Sequence, residues 1–108
     1  MFRLLLVSDS ESYKKAYEGL SSLEKIYLKP FKITDDIDEA FDIIKKGRVD
    51  AVCYALEGEK SRFFSEKLLE TPSFPVFTAY MDEGQIIDEL KRVSRFLSIV
   101  NADMLDSD

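Results

Sequence analysis

The chain of 108 residues has no histidine, one cysteine, four glycines and no long apolar run. Each shortage closes off a class of chemistry. Without histidine there is no Ser-His-Asp triad, no HExxH zinc site and no imidazole acid–base catalysis. A general base would have to be a lysine or a carboxylate. With Cys53 alone, no disulfide framework and no cysteine-based metal cluster forms within one chain. Cys53 stands in the apolar run DAVCYAL and is expected to be a buried, inert thiol. The glycines are all separated from one another, so no glycine-rich phosphate loop exists and nucleotides or dinucleotides are not expected as ligands. At the N-terminus only Leu4–Val7 follow Arg3 before the sequence turns polar, which is too short for a signal-peptide core. No stretch approaches the ~20 apolar residues of a membrane span. A cytoplasmic location without membrane contact is expected.

Cations are also in short supply. Fifteen Lys and Arg face twenty-one Asp and Glu, for a net charge of −6. The doublets Lys14–Lys15, Lys45–Lys46 and Lys91–Arg92 fall in different expected helices, where they read as solvated faces. Nucleic-acid binding needs clustered cations, so none is expected of this chain.

What remains is an ordinary globular composition, 45% apolar and 33% charged. The length implies one domain with a single core, and there is no internal repeat or linker. Phe2–Val7 is an apolar run of the kind that forms a strand buried on both faces. Ser8 and Glu11 then stand at capping-box spacing. Tyr13, Ala16, Tyr17, Leu20 and Leu23 repeat at helical steps, predicting one helix. Phe31–Ile33 is a weak second strand after Pro30. Thr34-Asp35-Asp36 is a cap signal for a helix carrying Ile37, Ala40, Phe41 and Ile44, with Gly47 as its stop. Asp50–Leu56 predicts a central third strand. Phe63, Phe64, Lys67 and Leu68 lie on a third helix that ends before Thr71-Pro72. Phe74–Ala79 is the fourth strand, and Ile86, Leu90 and Val93 belong to a last helix. Strands alternating with helices predict an α/β domain with a parallel sheet of four to five strands and helices on both faces.

Three of these segments resemble a known family. LLLVSDSES is similar to the first strand and acidic turn of a response-regulator receiver domain. RVDAVCYAL resembles the strand that ends in that family's phosphoacceptor Asp, and FPVFTAY resembles its fourth strand, which ends in Thr/Ser-Ala. The resemblance covers residues 1 to about 93 and implies a receiver-like, flavodoxin-like three-layer sandwich. It also implies a site of five groups: two carboxylates holding Mg²⁺, the acceptor Asp, a hydroxyl and a lysine. Here Asp9 keeps one carboxylate and Thr78 the hydroxyl. Ala55 holds the acceptor position, and no lysine stands near Ile99–Val100. A methyl group cannot be phosphorylated. The resemblance therefore implies a pseudo-receiver without enzyme activity or cofactor, acting as a regulatory or dimerisation module of a bacterial transcription regulator. Asp9, Glu57 and Thr78 would form a remnant acidic pocket; two carboxylates there suggest at most weak binding of a divalent ion. The competing reading is a small-ligand sensor using the C-terminal rim of the sheet, with Asp9, Leu56, Glu57, Thr78 and Tyr80.

The C-terminal part admits two readings. Phe96–Val100 is a fifth strand, or the last helix continues through 94–108. Ile86, Leu90, Val93, Leu97, Val100 and Met104 are spaced four, three, four, three, four, an apolar seam of coiled-coil period. On the helical reading, Ile86, Leu90, Val93, Leu97 and Val100 are expected to be a partner interface, for a homodimer or a downstream effector domain. On the strand reading, the chain lacks a final covering helix and continues into a further segment.

Overall fold

The computed structural model describes residues 3–8, 11–28, 30, 32–72 and 75–106. Its elements run β1 (Leu4–Ser8), α1 (Glu11–Glu18), α2 (Ser22–Tyr27), β2 (Lys32–Thr34), α3 (Ile37–Lys45), β3 (Ala51–Ala55), α4 (Glu59–Glu70), β4 (Phe77–Tyr80) and α5 (Ile86–Asp106), with a 3-10 turn at Glu83–Gln85 leading into α5. Among the described residues the sheet has four strands in the order β2-β1-β3-β4, all pairs parallel. That is the strand order of a flavodoxin-like sheet up to its fourth strand.

The apolar runs become strands because helices cover both faces. Leu4, Leu6, Ala51, Cys53 and Ala55 pack under α1, α2 and α5, with Tyr13, Leu20, Leu28, Leu90 and Leu97. Leu5, Val7, Val52, Tyr54 and Leu56 pack under α3 and α4, with Phe41, Ile44, Phe64 and Leu68. Successive strand residues thus enter opposite cores, as the two-residue period of a strand requires. On the second face the rings of Phe41 and Phe64 lie 5.0 Å apart, and those of Tyr54 and Phe64 4.8 Å. The Tyr54 hydroxyl is satisfied by Ser65 Oγ at 2.7 Å.

One expectation is corrected and one alternative is decided. The single helix expected through Leu23 is two helices. Gly19, Leu20 and Ser21 separate α1 from α2, and Ser21 restarts the chain with a full capping box: the Glu24 N–H donates to Ser21 Oγ (3.2 Å) and the Ser21 N–H to Glu24 Oε1 (2.9 Å). The break swings Leu20 into the core and leaves Leu23 66% exposed. Of the two readings of the C-terminal part, the continuous helix is the one formed, over Ile86–Asp106; the fifth-strand alternative is not. A single helix wins because its apolar seam finds a full partner in the sheet. Gly47, with φ +65°, does end α3: its N–H donates to the Ile44 carbonyl and that of Arg48 to Ile43. No helix among the described residues is long and apolar enough to cross a membrane.

Candidate functional site

In an open parallel sheet the C-terminal ends of the strands form the rim where ligands and reacting groups gather. The parallel register decides which residues reach it. Ser8 of β1 stands opposite Ala55 of β3, and Tyr54 stands opposite Tyr80 of β4. The loops that follow, Leu56-Glu57-Gly58 and Met81-Asp82, complete the rim. With Ala55 and Tyr80 they line a shallow groove of 220 Å³.

The position implied as phosphoacceptor is occupied by a buried methyl group. Ala55 is 4% exposed and Leu56 3%. Ala55 faces the α1/α5 core and Leu56 the α3/α4 core. Glu57 is exposed in the loop. Gly58 turns the chain into α4 with φ +57°, a left-handed conformation that a side chain disfavours. Met81 is buried, its N–H donating to the Tyr54 carbonyl at 2.8 Å. Asp82 is committed to the backbone, accepting from the Gly84 N–H at 2.8 Å.

Of the remnant pocket expected from Asp9, Glu57 and Thr78, the structure places Thr78 away from the rim. Asp9 lies outside the described residues. Thr78 pairs with Val52, three rungs before Ala55, or roughly 10 Å along the strand. It also lies on the α3/α4 face, the side of Val52, whereas Ala55 faces the other layer. The reason is a shift of the strand: β4 runs Phe77–Tyr80, so Tyr80, not Thr78, ends at the rim. Tyr80 is half exposed there, its ring 5.4 Å from that of Tyr54 in an edge-on arrangement. The Thr78 hydroxyl is buried and has no hydrogen-bond partner within the protomer, an arrangement that costs stability.

A larger recess of 410 Å³ lies at the other end of the rim, lined by Ser8, Glu11, Lys14, Lys32, Thr34 and Glu39, among others. Its polar groups largely serve one another. Lys32 is ion-paired with Glu39. The Thr34 hydroxyl accepts from the Asp36 N–H at 3.0 Å and donates to Glu39 at 3.4 Å. Among the described residues no group of three metal-ligating side chains comes together.

The seam expected as a partner interface is interior. Ile86 is 3% exposed, Leu90 0%, Val93 2% and Leu97 1%. All four pack against β1, β3, α1 and α2; only Val100 is partly open. A coiled-coil stripe and a sheet-packing stripe share nearly the same period, and here the sheet takes it. A polar clamp fixes α5 in place: Ser94 Oγ donates to the Glu24 carbonyl at 2.9 Å, joining α5 to α2.

Cys53 is the one thiol in the chain, and its environment silences it. It is fully buried, and burial, with a smaller contribution from the Glu89 charge, pushes its thiol up to about 12. Tyr13, buried in the same core, is raised as well, chiefly by burial. Sequence reasoning missed the outer edge of β4 as a surface, because which strand ends a sheet is a property of the assembled sheet. The nearest signal was the uncharged run Pro75–Met81. Comparison of the chain with family models, with curated proteins and with solved structures finds no significant match to any of them.

Proposed function

We propose that this chain is a non-enzymatic, receiver-shaped interaction module that works by packing against a partner, as a regulatory or dimerisation domain. The observation that carries this reading is Ala55. It is a buried methyl group at the end of the central strand, where a phosphoacceptor would need an exposed carboxylate. The groove beside it supports the same reading: Asp82 is engaged with the Gly84 N–H, and among the described residues the lining has no lysine or arginine that would draw an anionic phosphodonor. The flavodoxin-like strand order is compatible with the resemblance to receivers, and placement in a bacterial transcription regulator follows from that resemblance alone.

The test is incubation of the chain with a small acyl-phosphate donor and Mg²⁺, followed by intact-mass measurement. The expected result is an unchanged mass. A stoichiometric, acid-stable and base-labile phosphate adduct would overturn the reading, because it would reveal an acceptor carboxylate elsewhere on the rim.

A further inference from the structure

We propose that the chain forms a symmetric dimer through the outer edge of β4, joining two four-stranded sheets into one of eight. This deepens the interaction-module reading by naming its surface and its partner, a second copy of the chain.

The two edges of the sheet are built differently. β2 is three residues long, begins with Lys32, and that lysine is ion-paired with Glu39. Short length and charge are the devices by which proteins protect an edge. β4, Phe77–Tyr80, carries no charged residue. Among the described residues no strand pairs with its outer side, because α5 occupies the sequence that would supply a fifth strand. The Phe77 N–H donates inward to the Asp50 carbonyl (3.2 Å) and the Met81 N–H to that of Tyr54 (2.8 Å). Backbone groups alternate in direction along a strand, so those of Thr78 and Tyr80 point outward.

The side chains fit the same occupant. Val76 is 81% exposed and Tyr80 50%. Beside them runs a groove of 390 Å³ lined by Phe77, Thr78, Tyr80, Arg92 and Phe96, with the rings of Phe77 and Phe96 stacked at 4.4 Å. Ile99, one turn further along α5, is 58% exposed. The chain carries a net charge of −6, so two copies repel wherever charged surface meets. Pro75–Met81 contains no charged residue and is where two copies approach at least electrostatic cost.

Antiparallel pairing about a two-fold axis at Thr78 sets a unique register. Thr78 meets its own copy, and Val76 meets Tyr80 of the partner subunit on either side. The outward-facing residues then form the hydrogen-bonded pairs of the new ladder. The two exposed apolar side chains cover each other as a β-branched–aromatic pair. At the two-fold axis Thr78 faces a second threonine, and rotation of its side chain, which turns the buried and unpartnered hydroxyl outward, allows the cross-strand threonine pair that hydrogen-bonds in sheets.

The experiment is analytical ultracentrifugation of the chain up to millimolar concentration, with Val76→Lys and Thr78→Pro as variants. Proline at 78 removes an outward N–H and leaves the bonds to β3 in place; the lysine adds the charge the edge lacks. The wild type is expected to dimerise, and both variants to remain monomeric with unchanged far-UV circular dichroism. Should Thr78→Pro fail to fold, Val76→Lys decides alone. In a dimer of mixed isotope-labelled and unlabelled chains, an intermolecular Hα–Hα contact between Phe77 and Ala79 is expected from this register. A wild type that stays monomeric throughout, or a dimer untouched by Val76→Lys, overturns the proposal. Neither outcome bears on the phosphodonor test, so the two readings fail separately.

Discussion

At the scale of single residues, burial governs what this chain can do. Cys53 shows it most directly. Its thiol is fully buried and raised from an ordinary value of 9.0 to about 12. In the unfolded chain the thiol ionises near its ordinary value; in the folded chain it stays neutral. The stabilising contribution of this site is therefore complete below pH 9 and is lost as pH rises towards 12. Denaturant titrations from pH 8 to 10.5 are expected to show falling stability, with a shallower fall in Cys53→Ala over the same range. The residual slope in that variant belongs to Tyr13, which is raised in the same direction. Equal slopes in the two proteins would show that the Cys53 environment is wet. Burial of Cys53 was legible in the sequence because the run DAVCYAL is apolar at nearly every position. The position of Thr78 was not. Its place depends on where β4 begins and on its register against β3, and neither is written in the residues of one strand.

At the scale of elements, α5 is the part whose role changes most between sequence and structure. Its seam of Ile86, Leu90, Val93, Leu97 and Val100 allows a helix continuing through 94–108 beside the fifth-strand alternative, and the helix is there over Ile86–Asp106. The same spacing could not say what the seam packs on, since a partner helix and the sheet select nearly the same stripe. The burial values select the sheet. Leu97→Ala is thus expected to remove ~2–5 kcal/mol of stability by leaving a cavity under the helix. Ile99→Ala, on the exposed side of the same helix, is expected to stay within ~0.5 kcal/mol. Urea melts at micromolar protein concentration measure both, and similar losses for the two would contradict the packing of α5 described above. The break between α1 and α2 was legible in part. Ser21 and Glu24 stand at capping-box spacing immediately after Gly19, yet the continuing apolar period through Leu20 and Leu23 masks the stop. A cap restarts a helix in a new direction, and periodicity carries no record of direction.

At the scale of the whole molecule, the distribution of charge gives an expectation that separates edge pairing from any association through ion pairs. Each copy carries −6, and the pairing segment carries nothing. Bringing two such copies together therefore meets long-range repulsion without compensating attraction across the new ladder. Salt screens that repulsion, with a Debye length of about 10 Å at 0.1 M and about 3 Å at 1 M. The hydrogen bonds and apolar contacts of the edge are short-ranged and are left almost intact. Dimerisation through β4 should consequently tighten as sodium chloride rises from about 0.02 M to about 0.3 M, by several-fold in the association constant, and level off once the copies are fully screened. An interface built on salt bridges such as that between Arg92 and Glu89, opened and exchanged between copies, would weaken over the same range. Sedimentation equilibrium across that salt series distinguishes the two by the sign of the slope. A negative slope would move the interface away from the uncharged edge and onto the charged outer faces of the helices.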